Sequence, residues 1–171
     1  MTDEERAAEE RAAEERTALR DVLWKMYSEN CTQARHHETQ RALVASGFLA
    51  IATAVIGIIT FDKGLTDRDI PLALLIIALG AFGAIFSAKH YERAQLHTKR
   101  GREDRDALDK LLPGSPLKSL RDKADKKNKE DFPTLTQLNL FKFWIGINLA
   151  VSAVGACLAA MAWWFPIAPK P

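Results

Sequence analysis

Four histidines are the first residues whose type and spacing could do chemistry. His36 and His37 precede an uncharged stretch, residues 42–61, and His90 and His97 follow a second, residues 70–88. If the two stretches pair as a hairpin, His36, His37 and His90 meet at one end of it. Imidazoles there could ligate a metal or titrate near neutral pH. No acidic or cysteine partner stands at ligand spacing from them, so interfacial polar residues are expected, with no metal and no cofactor. A basic run comes next: Lys99, Arg100, Arg102 and Arg105, then Lys118, Arg121, Lys123, Lys126, Lys127 and Lys129. Residues 89–142 hold 14 Lys/Arg against nine Asp/Glu, a net charge of +5. Such an arm sets topology and attracts anionic lipid. Alternatively, clustered in an oligomer, it holds an anionic ligand such as a nucleotide or oligonucleotide. Lys99, Arg100, Arg102 and Arg105 are the first candidates for that contact, although the sequence offers neither a glycine-rich phosphate loop nor an aromatic stacking platform.

A third pattern lies within the first uncharged stretch. Ser46, Ala50, Thr53, Gly57 and Thr60 recur at alternating spacings of four and three, which puts them on one helix face. A small and polar face either packs closely against another helix or lines a conduit. Ser46, Thr53 and Thr60 are therefore candidate pore-lining residues, with Asn148 as their counterpart in a third uncharged stretch, where Ser152 lies one turn away. An Asn within a span faces another helix or water, because lipid cannot satisfy its amide. No nucleophile–base arrangement stands out, and an enzyme is not expected.

The elements that must carry these residues follow from the three uncharged stretches, 42–61, 70–88 and 143–168. All 24 Lys/Arg and all 22 Asp/Glu of the 171 residues lie outside them. The mean hydropathy of −0.15 conceals this division. About 20 residues rising about 1.5 Å each span a hydrocarbon core of about 30 Å. The expected fold is all-α: an integral membrane protein of three transmembrane helices with long cytoplasmic helical extensions, assembled as an oligomer in the lipid bilayer. Its segments are an N-terminal cytoplasmic helix (1–41), a transmembrane hairpin (42–88), a basic cytoplasmic helical segment (89–142), and a third span with a short external tail (143–171). The acidic, alanine-rich N-terminus is unlike a signal peptide, so the first span is expected to be retained. Lys/Arg counts set the orientation. Residues 1–41 carry seven, 89–142 carry 14, 62–69 carry two and the tail one. The N-terminus and the middle segment are expected in the cytoplasm, and the hairpin loop and C-terminus outside. Cys31 and Cys157 belong to different depths, so no disulfide is expected between them.

Residues 3–41 read as one helix, rich in Ala, Glu and Arg, with the repeat EERAA in tandem. A stripe of Leu19, Val22, Leu23, Met26, Asn30, Gln33 and His37 leads into the first span. Gly64 marks a tight turn, Pro71 opens the second span, and Gly80, Ala84 and Ala88 form a small-residue row in it. That span continues through a weak seam of Tyr91, Ala94, Thr98, Gly101, Arg105, Leu108 and Leu112. Pro113-Gly114-Ser115-Pro116 ends it. Residues 117–130 are either a short charged helix or a disordered arm. The third span carries Trp144 near its inner end and Trp163, Trp164 and Phe165 near its outer end, as an aromatic belt requires.

Several of these residues together carry a family resemblance. A polar helix with Trp24-Lys-Met-Tyr27 and His36-His37 runs into the first span. After a short loop, the second span ends in Ser87-Ala-Lys-His90-Tyr91-Glu-Arg-Ala-Gln-Leu-His97. Over roughly residues 19–112 the chain resembles the SLATT families, small bacterial membrane proteins with a two-span core and flanking cytoplasmic helices. The third span is an addition to the simplest two-span form. The resemblance implies a pore-forming effector of antiphage defence in the bacterial inner membrane, functionally linked to a nucleotidyltransferase-type sensor that makes a nucleotide signal. The alternative is a non-conducting membrane adaptor that docks a cytoplasmic partner through its acidic helix and basic arm.

Overall fold

The computed structural model describes residues 2–61 and 65–164. Four helices carry them: α1 (Asp3–Phe61), α2 (Ile70–Lys110), α3 (Pro116–Asp131) and α4 (Leu140–Trp164), with 3₁₀ turns at Asp67–Asp69 and Leu135–Gln137. No strand occurs among the described residues. The first proline of the chain is Pro71, so no proline interrupts α1 over its 59 residues, and Gly47 and Gly57 are carried within it. The change of composition at residues 41 and 42 leaves no mark on its backbone. α1, α2 and α4 each contain a segment long and apolar enough to cross a membrane. Gly64, Phe165 and the proline-rich tail lie outside the described residues.

The connections follow from local chemistry. Before α2, the backbone N–H and the hydroxyl of Thr66 both donate to Asp69 Oδ2, each at 2.9 Å. After α2, Gly114 (φ 75°) and Ser115 (φ 43°) take consecutive left-handed conformations that turn the chain. Pro116 then opens α3, the first-turn position where its missing N–H costs nothing. Asp109, 4% exposed, supplies the cap from the preceding helix. Its carboxylate accepts from the N–H groups of Leu117 (2.8 Å) and Lys118 (3.1 Å). The segment expected as helix or disordered arm is thus a helix, and none of its residues is buried.

The chain divides into two compact units, Met1–His36 with Arg93–Leu138, and His37–Glu92 with Asn139–Pro171. In the first, the polar unit, α1 and α2 meet around polar side chains. Asn30 Nδ2 donates to Asp104 (2.8 Å), and Asn30 Oδ1 lies 3.0 Å from His97 Nδ1. An amide oxygen only accepts, so His97 carries its proton on Nδ1. A Cβ added to Gly101 would stand 3.5 Å from Asn30 Cβ, so the helices touch closely there. Ala94, Gly101 and Leu108, seven residues apart, are the buried positions of the α2 seam, joined by Asp104 and Asp109. On α1, between residues 21 and 36, the partly buried residues are Leu23, Tyr27, Asn30, Cys31, Gln33 and Ala34, whereas Leu19, Val22 and Met26 are about half exposed. Of the expected stripe, Leu23, Asn30, Gln33 and His37 are partly buried, and the apolar members Leu19, Val22 and Met26 are not. Hydrogen bonds to Asn30 and the close approach at Gly101 fix the contact, not hydrophobicity.

The second, apolar unit packs the hydrophobic segments of α1, α2 and α4. Ala52, Val55 and Ile59 of α1 and Ile76 of α2 form its core, flanked by Leu72 and Leu79 of α2 and by Val151 and Leu158 of α4. Glycines set how near α2 and α4 come. A Cβ at Gly155 would lie 2.8 Å from the Ile77 nitrogen and 2.9 Å from the Ala73 carbonyl oxygen, and one at Gly83 would overlap the Asn148 side chain. A ring stack of Tyr91 on Phe141, centroids 4.0 Å apart, lies beyond the helix segment that holds Gly83. Large apolar residues on the outer faces, among them Leu43, Ile58, Phe82, Ile85, Trp163 and Trp164, are exposed. That pattern is compatible with a membrane location, where lipid covers them.

Candidate functional site

Two places in the fold gather chemistry. The first is a pocket of about 600 Å³ in the polar unit. Its apolar wall is Trp24 and Tyr27 of α1, Leu108 of α2, and Leu112 and Leu117 around the turn into α3. Its polar groups are Arg20, Asp21 and Arg105. Trp24 is 59% exposed, and its ring centroid lies 5.7 Å from that of Tyr27. Trp24 and Tyr27 are three residues apart, which brings both onto the same side of α1. Leu108 on α2 and Leu112 in the turn that follows it answer them from the other side.

Charge in this pocket is unevenly held. Arg20 and Asp21 approach to 3.6 Å with both side chains more than half exposed, a solvent-screened pair of small energetic consequence. The Arg105 side chain is only 17% exposed. Its Nε and one amino nitrogen donate to a single oxygen of Asp106, at 3.1 and 2.6 Å. These bonds hold the Asp106 carboxyl below the usual carboxylate range. The hydrogen bond between Tyr27 and Cys31, with burial second, pushes the Tyr27 phenol above its ordinary value. Tyr27 therefore stays neutral across the physiological range. Of the four basic residues expected to contact a ligand, Arg105 alone lines the pocket; Lys99, Arg100 and Arg102 are exposed along α2. Arg20, Trp24 and Tyr27 were not recognisable as ligand contacts in the sequence. Their spacing of four and three on one helix is a signal, but it points to a site only once the leucines of another segment stand opposite.

The second place is the polar layer at the start of the apolar unit. His37 and His90 meet with their Nδ1 atoms 3.3 Å apart. One of the two must donate and the other accept, so the contact needs at least one neutral imidazole. Phe86 covers His90 with ring centroids 4.1 Å apart. One turn from His37 on α1 is Arg41, 5% exposed, and one turn from His90 on α2 is Ser87, fully buried. Among the described residues, Arg41 Nε and Ser87 Oγ have no hydrogen-bond partner. His36 is exposed, and His97 belongs to the polar unit. Among the described residues, no group of three or more His, Cys, Asp or Glu side chains is arranged to hold a metal ion.

The candidate pore-lining residues divide sharply. Ser46, Ala50, Thr53, Gly57 and Thr60 are all exposed, on the face of α1 turned away from Ala45, Ala52, Val55 and Ile59. Thr53 donates to the Leu49 carbonyl (2.8 Å) and Thr60 to the Ile56 carbonyl (3.0 Å), so both hydroxyls are satisfied within their own helix. Asn148 is 1% exposed. It donates to the Trp144 carbonyl at 2.8 Å, with its side chain against Gly83. Ser152 donates across to the Ile77 carbonyl at 2.9 Å. Ser152 thus bonds α4 to α2, Asn148 packs against Gly83 of α2 while bonding its own helix, and among the described residues the α1 stripe makes no bond to another helix. Both cysteines are free, Cys31 partly buried and Cys157 exposed, in different units. The chain matches no protein-family model, no curated protein and no solved structure.

Proposed function

We propose that the chain assembles in the bacterial inner membrane as a homo-oligomeric ion channel, gated from the cytoplasm by an anionic, nucleotide-type signal. One observation carries this reading: the small and polar face of α1, Ser46 to Thr60, is exposed while the opposite face is packed. In lipid, apolar faces have no reason to leave the hydrocarbon, and small or polar faces are the ones that drive helices together. Copies meeting through this face would place Ser46, Thr53 and Thr60 about a central path. Asn148 would join that lining only where α4 parts from α2. α1 and α2 each run unbroken from the polar unit into the apolar unit, a continuous connection by which ligand binding can bias the spans. Lys99, Arg100 and Arg102, exposed on α2, would raise the local concentration of an anion and of anionic lipid. The SLATT resemblance supports antiphage defence as the setting, with a nucleotidyltransferase-type sensor making the signal.

The test is ion flux in liposomes containing the purified protein. Thr53→Trp should cut flux ten-fold or more while leaving the single-chain fold unchanged, because Thr53 is exposed. Flux equal to wild type removes Thr53 from the path. A second reading, a non-conducting adaptor, draws support from α3, a charged helix with no buried residue and thus free to dock a partner. Planar-bilayer recordings separate the two: a silent bilayer at any ligand concentration favours the adaptor.

A further inference from the structure

We infer that the pocket between Trp24 and Arg105 binds a flat aromatic ring system carrying one anionic group, with the ring against Trp24 and Tyr27 and the anion on Arg105. The volume of about 600 Å³ lies in the range of small-molecule sites, which are mostly apolar with a few convergent polar groups. Trp24 is the most telling wall residue. It leaves 59% of its surface exposed beside an apolar hollow that no side chain of the described residues fills. Trp24 and Tyr27, with centroids 5.7 Å apart and planes tilted by 42°, offer two π-faces at different angles. Such faces gain most from another ring and from a guanidinium plane.

The electrostatics select the sign and the number of charges. Arg20 and Asp21 cancel at the exposed rim. Tyr27 remains neutral and adds no negative charge. Arg105 is paired too, with Asp106, but its side chain is mostly withdrawn from water, and there a bond to an anion is screened least. Asp106 occupies its Nε and one amino nitrogen, so the other amino nitrogen still has donors to offer. A single partly desolvated guanidinium edge matches one carboxylate, phosphate or sulfonate. The pocket is too small and too apolar for a length of polymer, and the exposed cations Lys99, Arg100 and Arg102 stand outside it. This binding stands apart from the channel reading and rests on it only in naming the ligand as the gating signal.

The experiment uses the full chain in nanodiscs of zwitterionic phosphatidylcholine, with calorimetric titration of 1-naphthyl phosphate, guanosine monophosphate, dodecyl phosphate and inorganic phosphate. The two aromatic phosphates should bind saturably, tighter than about 1 mM. Trp24→Ala and Arg105→Gln should each weaken them about ten-fold or more. Asp106→Asn should tighten them several-fold by removing the negative charge that competes for the guanidinium. Leu112→Trp, which fills the pocket from a partly exposed position, should abolish binding, and it backs up Trp24→Ala should that variant fold poorly. Lys123→Gln, on α3, should change nothing. The inference is overturned if neither aromatic phosphate binds, if dodecyl or inorganic phosphate binds as tightly, or if Trp24→Ala leaves affinity unchanged. Flux recorded with the same probes separates the two readings. Binding without any change in flux keeps the pocket and removes the gating role. A flux response that persists in Arg105→Gln and Leu112→Trp removes this pocket as the gating site.

Discussion

Replacing Gly155 with alanine tests the packing of α4 on α2 through a single methyl group. The added Cβ would stand 2.8 Å from the Ile77 nitrogen and 2.9 Å from the Ala73 carbonyl oxygen. Optimal carbon contacts lie near 3.5–4.0 Å, so the methyl is about 0.7 Å too close. The obstruction is backbone, which no rotamer change relieves, and α4 must draw back. Withdrawal strains the 2.9 Å bond from Ser152 to the Ile77 carbonyl, worth about 0.6 kcal/mol in a membrane interior. Overpacking adds about 1–3 kcal/mol, and alanine returns up to about 1 kcal/mol through helix propensity. With the full propensity gain, the net expectation is a loss of about 0.5–2.5 kcal/mol. Gly146→Ala is the matched control, since nothing lies within 4 Å of a Cβ there. Reversible unfolding in mixed micelles, followed by far-ultraviolet circular dichroism, gives both values. Gly155→Ala as stable as Gly146→Ala would falsify the close α2–α4 approach.

Two further outcomes follow from particular side chains. Tyr27 should ionise above its ordinary value of about 10, because the Cys31 hydrogen bond and burial favour the neutral phenol. A raised folded-state pKa means that the associated stability is complete below the unfolded value and is lost as pH rises through the folded one. Phenolate absorbance should therefore show Tyr27 titrating late, and Cys31→Ala should bring it back toward normal; an unchanged titration would remove the Cys31 contact as the cause. Arg41→Met should raise stability or leave it level in the isolated chain, since the buried guanidinium Nε has no partner there and methionine keeps much of its length. A loss above about 2 kcal/mol in the same unfolding assay would mean that Arg41 is paired in the state measured.

Much of the fold was legible because it depends on what the sequence lacks. Without a proline before Pro71, and with charge absent from three long stretches, α1 and the membrane-length segments had few alternatives. The Pro113–Pro116 break was equally plain. Helix faces were harder. Of the α1 stripe, Leu23, Asn30, Gln33 and His37 are partly buried while Leu19, Val22 and Met26 stay half exposed, because the hydrogen-bonded Asn30 amide and the close approach at Gly101 set the contact on the polar half of the stripe. α3 was undecided for a different reason. Its cap, Asp109, lies in the preceding helix, and no pattern within residues 117–130 announces it. The pocket was invisible because its aromatic and aliphatic walls come from segments about 80 residues apart, and the seam that holds Arg105, Leu108 and Leu112 does not announce Trp24 and Tyr27 opposite.

The polar residues of the spans show why burial in a single chain and role in an assembly need separate arguments. Asn148 and Ser46 look alike in sequence, each a polar group inside an uncharged stretch. In the fold, Asn148 is enclosed between α4 and α2, over a glycine that makes room for it. Its amide also bonds its own helix, at the Trp144 carbonyl, so what joins it to α2 is close packing over Gly83, and in lipid such packing is among the few forces that hold two helices together. Ser46, Thr53 and Thr60 fasten nothing, and the threonine hydroxyls turn back onto their own helix. A hydroxyl satisfied in this way carries no penalty against lipid, against another copy or against water. That indifference is what a surface requires if it must be packed in one state and wetted in another, whereas the α4–α2 contact, with its bond from Ser152 and its interlocked Gly155, tolerates only one. Under the channel reading, the moving face is therefore the outer face of α1, and α2 with α4 is the fixed frame against which it moves.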